Sequence, residues 1–170
     1  MKNALLASVA VFSLTLTAEA VQAQTAAAVE QPLLHSLSGD VRPERMRSDI
    51  EALVGFGTRH TLSDTQSETR GIGAARRWAE RQFRDMSRDC GGCLTIALPS
   101  DVVTGRRVPN PTEVVNVLAI QRGTTDPNRI IVISGHIDSR ASDVMDFTSD
   151  APGANDDASG VAAVLEAARV

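Results

Sequence analysis

Three short stretches of the sequence hold residue types that can do chemistry. Gly135-His136-Ile137-Asp138-Ser139 sets an imidazole two residues before a carboxylate. An imidazole serves as a metal ligand or a base, and a carboxylate on its second nitrogen fixes the tautomer and makes it a better ligand. Gly153-Ala154-Asn155-Asp156-Asp157-Ala158-Ser159-Gly160 puts two adjacent carboxylates where a loop runs into a helix. Cys90-Gly91-Gly92-Cys93 has the spacing of a redox pair or of a local disulfide. Each stretch also has an ordinary use. His-x-Asp by itself describes a surface or structurally bonded histidine as well. Asn, Asp and Ser are common helix caps, and Asp favours a first turn. Two Asp framed by Gly-x-Asn and Ala-Ser-Gly are nevertheless more than one cap needs.

The elements that must position these residues are legible from periodicity. Pro43 fits a first-turn position, Met46, Ile50, Leu53 and Val54 mark one helical face, and Gly55 fits the stop. A second helix is expected from Glu68 to Met86, with Ile72, Ala75, Ala79, Phe83 and Met86 on its apolar face. Trp78 lies just off that stripe, as partly buried core. After Cys93 the pattern changes. Leu94 to Leu98 reads as a short strand, Pro99 to Pro111 as a turn-rich connection, and Val114 to Ile120 as a strand broken only by Asn116. Arg129 to Ser134 contains Ile-Ile-Val-Ile, apolar on both faces, which suits a central strand covered by helices on both sides. His136 then follows directly on that strand, at the edge where open α/β sheets gather ligands. The connection from Ser139 to Pro152 is long for a strand-to-helix loop, and long loops at that edge are commonly functional. Ser159 to Val170 repeats apolar residues at helical spacing with no stop signal, so the chain is read as truncated within a helix. The expected architecture is α/β, a mixed central sheet flanked by helices and incomplete at its C-terminal side.

The 170 residues make one domain or part of one. Hydrophobic residues form 42% and charged residues 22%, enough to bury a core. With 17 Lys+Arg against 21 Asp+Glu the net charge is -4, which excludes a nucleic-acid binder built on a basic face. One Trp, four Phe and no Tyr leave little for base-stacking platforms. The N-terminus reads as an export signal. Lys2 gives the positive end, Ala4 to Leu16 the short apolar run, and Ala18-Glu19-Ala20 and Val21-Gln22-Ala23 the small-residue cleavage sites. Residues 1–23 are therefore expected as a signal peptide, 24–39 as a loose lead-in, and 40–170 as the N-terminal part of a catalytic domain. No stable membrane insertion is expected after cleavage. The location is periplasmic or secreted, where a Cys90–Cys93 disulfide is permitted. A redox role would want the pair to open a helix after a strand, whereas here it follows a helix and precedes a strand.

The chain resembles a known family on these residues. Ser134-Gly-His-Ile-Asp-Ser139, followed by Ala151-Pro-Gly-Ala-Asn-Asp-Asp-Ala-Ser-Gly160 and Val161-Ala-Ala-Val-Leu-Glu166, is similar to the zinc aminopeptidases typified by bacterial leucyl aminopeptidases (metallopeptidase family twenty-eight, clan MH). Gly55-Phe-Gly-Thr-Arg-His-Thr61 and Val114 to Ile120 share the likeness, which covers roughly Pro43 to Val170. The resemblance implies that His136 binds one zinc, that Asp156 bridges two zinc ions, and that Asp138 orients the histidine. It implies a cis peptide after Asp156, with Asp157 as a cap or loop support. It implies a peptide substrate with a free N-terminus. The family also uses a Glu-Glu pair, a further Asp and a second His beyond the Asp-Asp motif. Only ten residues follow Gly160 here, and their one acid, Glu166, matches no site position. His35 and His60 match none either, and Arg59-His60 is read as loop packing. Two ligands do not make a stable zinc site, so the chain alone is expected to be inactive. A glutaminyl cyclase-like acyltransferase and a non-catalytic interaction domain of the same fold stand as alternatives.

Overall fold

The computed structural model describes residues 31–170. The expected signal peptide lies outside them. Four helices are described: α1 Pro32–Asp40, α2 Pro43–Gly55, α3 Gly71–Asp89 and α4 Ser159–Arg169. Four strands lie between α3 and α4: β1 Leu94–Ala97, β2 Ser100–Gly105, β3 Val108–Val115 and β4 Leu118–Gln121. The architecture is mixed α/β.

Helices α2, α3 and α4 meet on one apolar core. Leu53 of α2, Ala75 and Phe83 of α3, and Val161 and Leu165 of α4 are buried together with Ala158. With the partly buried Ile50, Trp78, Met86, Val164 and Ala168 that pack on them, neighbours such as Ile50 and Leu53, Ala75 and Trp78, Phe83 and Met86, and Val161 and Leu165 lie three or four positions apart, so one face of each helix turns inward. Pro43 occupies the first turn of α2, where its missing N–H costs no bond, and Glu44 beside it complements the helix N-terminus. Ile96 of β1 and Ala119 of β4 close one side of the core, and Trp78 packs on it half-buried, edge-on to Phe56.

A charged network ties α2 to α4. The Arg169 guanidinium binds both carboxylate oxygens of Asp49 and also reaches Glu166. Glu166 accepts from the Arg42 N–H at 2.6 Å and from both Nε and Nη2 of Arg45. Burial opposes the charge on Glu166. The bonds from Arg45, Arg42 and Arg169 outweigh it and hold the carboxyl below its ordinary value.

The strands depart from the expected arrangement. They form two separate antiparallel pairs, β1 with β4 from Leu94↔Gln121 to Ala97↔Leu118, and β2 with β3 from Ser100↔Val115. The stretch expected as a turn-rich connection is thus largely a hairpin, β2–β3. A two-stranded ribbon has only edges, so Pro109 and Pro111 remove no essential ladder bond. The strand expected from Val114 to Ile120 divides at Asn116, whose N–H leaves the ladder for the Pro99 carbonyl. Residues 130–133 form no strand, and no large central sheet is present among the described residues. Ile130, Ile131, Val132 and Ile133 are 83, 78, 78 and 63% exposed. A run apolar on both faces needs strands at its sides and layers above and below. The described strands pair only with one another. Finally, residues 32–39, expected as loose lead-in, belong to helix α1, although none of its residues is buried.

Candidate active site

The two carboxylate-bearing motifs converge beside the N-terminus of α4. Gly135 makes this possible, because a Cβ there would stand 2.8 Å from the Gly160 carbonyl carbon and from the Val161 nitrogen. Asp157 ties the motifs together. One of its oxygens accepts the His136 N–H at 3.0 Å and the other accepts the Gly160 N–H at 3.0 Å in the first turn of α4. Its carboxylate therefore satisfies a free helix donor while fixing the backbone of the histidine. Gly153, with φ of 48°, turns the chain into the kinked segment Ala154–Ala158, and the Asp156–Asp157 peptide is cis.

His136 lies between two carboxylates. Its Nδ1 is 3.1 Å from Asp138 Oδ1, and its Nε2 is 2.9 Å from Asp156 Oδ1. A neutral imidazole carries one proton, so one of these nitrogens would turn a lone pair toward an anion. The arrangement asks for a cation, either a second proton or a metal ion. Desolvation opposes the charged ring, but the bonds and charge of Asp138, aided by Asp157, raise the His136 pKa above its ordinary value.

A single arginine holds the surrounding backbone. Arg59 is fully buried. Its Nε donates to the Ile137 carbonyl at 2.8 Å, its Nη1 to the carbonyls of Leu53 and Pro152 at 2.8 and 2.7 Å, and its Nη2 to the Gly153 carbonyl at 3.0 Å. Its N–H donates to Ser139 Oγ at 3.0 Å, and that hydroxyl donates in turn to the Ala151 carbonyl. Burial lowers the Arg59 pKa, and the charge of Asp138 opposes the shift. Sequence reasoning assigned Arg59 to loop packing. The structure makes it the joint between α2, the histidine motif and the aspartate motif. The available signal was its place in Gly-Thr-Arg-His-Thr, a long cation among small residues.

His60 is not at the site. Its Nδ1 accepts the Leu62 N–H, which leaves Nε2 to donate to the Val144 carbonyl at 3.1 Å, so it anchors the long loop from Ser139 to Pro152. Within that loop the Asp146 carboxylate accepts from the Ser149 and Thr148 N–H groups and from the Thr148 hydroxyl, which holds it well below the usual carboxylate range. His35 lies on the exposed helix α1. Cys90 and Cys93 are joined by a disulfide that closes the exposed turn between α3 and β1.

The comparisons with known proteins agree on one lineage. The profile of Peptidase family M28 matches residues 116–170, a span that includes both motifs. A probable zinc metalloprotease of Pyricularia oryzae is 48% identical over 138 residues, 81% of this chain and 28% of that protein. A probable zinc metalloprotease of Leptosphaeria maculans is 45% identical, over 81% of this chain and 32% of its own length. This chain is homologous to the M28 zinc metallopeptidases. Leucine aminopeptidase 1 of Leptosphaeria maculans is more distant, 30% identical over 82% of this chain and 30% of its own. The M28 homologue described here thus spans about a third or less of the curated relatives it matches. No solved structure matches it significantly.

Zinc is the metal that this homology implies. An imidazole nitrogen and a carboxylate oxygen, turned toward each other with the second imidazole nitrogen held by Asp138, fit zinc in kind. They fall short in number. Zinc sites take three or four protein ligands, and among the described residues no group of three His, Cys, Asp or Glu side chains is arranged to hold a metal. No helix of the described residues is long and apolar enough to cross a membrane.

Proposed function

We propose that this chain contributes part of the active site of an exported zinc aminopeptidase, an enzyme that removes N-terminal residues from peptides. The observation that carries the reading is the imidazole of His136 facing Asp138 on one nitrogen and Asp156 on the other. In this reading His136 and Asp156 would hold zinc, and Asp138 would position the histidine. Bound zinc would supply Lewis acidity toward water and toward a peptide carbonyl. Asp138 keeps a proton on Nδ1 and so presents the Nε2 lone pair. Asp157 holds the His136 backbone, and the cation of Arg59 holds the carbonyls on both sides of the site. In the longer protein, with strands supplied at its sides, the run Ile130–Ile133 would become the central strand of a mixed sheet flanked by helices, and residues 1–23 would direct the protein to the periplasm or beyond the cell. The remaining ligands and the general base are supplied outside residues 31–170, so the 170-residue chain alone does not turn over substrate.

The test is a zinc titration of the 170-residue chain, followed by the nitrogen resonances of its histidine rings. With only two ligands the binding should be weak, so the His136 Nε2 resonance should move only at high zinc, and Asp156→Asn should abolish the shift while the folded spectrum persists. Zinc that perturbs His35 or His60 and leaves His136 unmoved would overturn the reading. Leucine 4-nitroanilide should remain uncleaved by this chain with zinc present.

A further inference from the structure

Apart from the His136 site, the described residues enclose a cleft of about 650 Å³. Its walls are the N-terminal half of α3, the loop Thr61–Gln66 and residues 109–113 of β3. The size lies in the range of small-molecule and peptide side-chain sites. Much of the lining is apolar, with Leu62, Leu98, Val115, Met145 and Phe147 facing in.

Four charged side chains line it, and three are engaged. Arg77 donates to the carbonyls of Thr65 and Ser67 and lies 3.5 Å from Glu68. Glu80 holds Arg84 through both Nε and Nη2. Glu113 accepts the Ser100 hydroxyl at 2.7 Å. Arg76 is the exception. Its guanidinium makes no hydrogen bond or ion pair among the described residues; its buried Nε has no partner, as is also true of the Arg77 Nε, and the charge of Glu113 acts on it without a bond. A half-buried guanidinium beside apolar walls, with an unfilled donor, is the complement of a carboxylate. Its planar fork can take both oxygens at once.

We propose that this cleft is a binding site for a carboxylate carried on an apolar stem, anchored by Arg76. The cleft adjoins the candidate active site through Thr61, which lines it and whose hydroxyl donates to Asp138 Oδ2 at 3.5 Å. On the aminopeptidase reading, and resting on it for this point alone, the ligand is a peptide substrate with a carboxylate remote from its N-terminus. That carboxylate is either the peptide C-terminus or an acidic side chain.

The experiment is metal-free and uses the 170-residue chain, with the Arg76 Nε–H resonance as reporter and three probes. N-acetyl-leucine carries a terminal carboxylate, N-acetyl-leucyl-glutamate α-amide an acidic side chain only, and N-acetyl-leucinamide no charge. Saturable shifts with at least one acid and none with the amide are expected, and Arg76→Gln, read at the backbone amide of Gly73 in the same cleft, should weaken that binding about tenfold. The tighter of the two acids identifies the source of the carboxylate. Binding of the amide as tight as the acids, or no saturable shift with either acid, would overturn the proposal without relying on any variant. His136→Ala should leave acid binding unchanged, so this result and the zinc titration fail independently.

Discussion

The guanidinium of Arg59 donates to the carbonyl of Ile137, the residue between His136 and Asp138, at 2.8 Å. Seventy-eight positions separate the two residues in the chain. The bond joins a polar loop after α2 to the one stretch where an imidazole and a carboxylate alternate. Further donors of the same side chain reach Pro152 and Gly153, just ahead of Asp156. The distance between His136 and Asp156 thus depends on a residue that touches neither side chain.

Replacing Arg59 should therefore cost more than any single surface change. Arg59→Met keeps much of the volume and leaves the carbonyls of Leu53, Ile137, Pro152 and Gly153 without this donor. Each buried carbonyl left unpaired costs about 1–3 kcal/mol. The chain should be largely unfolded at 25 °C, as read by the far-ultraviolet signal and by a lost or greatly lowered Tm. A Tm within a few degrees of the parent would refute the role.

Acid should unlock the junction between α2 and α4. The Glu166 pKa is lower in the folded chain than its ordinary value. Its contribution to stability is complete above the ordinary glutamate range, near about 4.3, and is lost as pH falls through the lower folded value. Glu166→Gln leaves Arg45 and Arg169 short of a buried carboxylate and should destabilise the chain at pH 7 by about 3–5 kcal/mol. Urea midpoints of parent and variant should draw together as pH drops below that range. A gap independent of pH would contradict the assignment.

Gly73→Ala should act against helix propensity. Ala is better than Gly in a helix by about 1 kcal/mol. Here a Cβ would stand 2.2 Å from the Thr65 carbonyl oxygen, so the loop on α3 must move. A net loss of about 1–3 kcal/mol is expected. Gly39→Ala in α1, where nothing lies within 4 Å of the added carbon, is the control and should be neutral or mildly stabilising. Thermal melts of the two variants decide the sign.

Asp138→Asn should weaken zinc binding at His136 about 10–100-fold, the usual effect of removing a carboxylate behind a ligating histidine. The titration that tests the proposed function measures it directly. Unchanged affinity would mean that Asp138 does not support the ligand.

The helices were legible in the sequence because each buries one stripe against the same core. Ile72, Ala75, Ala79 and Phe83 repeat at helical spacing and are buried in α3. The strands were less legible because their partners decide their state. Ile130–Ile133 reads as buried, yet apolar spacing names a kind of surface and not what covers it. Gly105, Pro109 and Pro111 read as turn residues, yet a ribbon with two edges tolerates them. Of the candidate site, the His136 and Asp156 motifs stood out by residue type. Arg59 did not, because a lone cation in a loop has no period, and its value lies in carbonyls contributed by distant segments.

The bare stretch at residues 130–133 also governs how the protein behaves in a tube. Four consecutive branched aliphatic residues, with Arg129 as the nearest charge, offer neighbouring copies a high-propensity segment that no described residue shields. The usable concentration of this chain is then set by self-adhesion at that segment rather than by its melting point. A lysine in place of Ile131 would act as a gatekeeper and raise solubility while leaving the buried core of α2, α3 and α4 untouched.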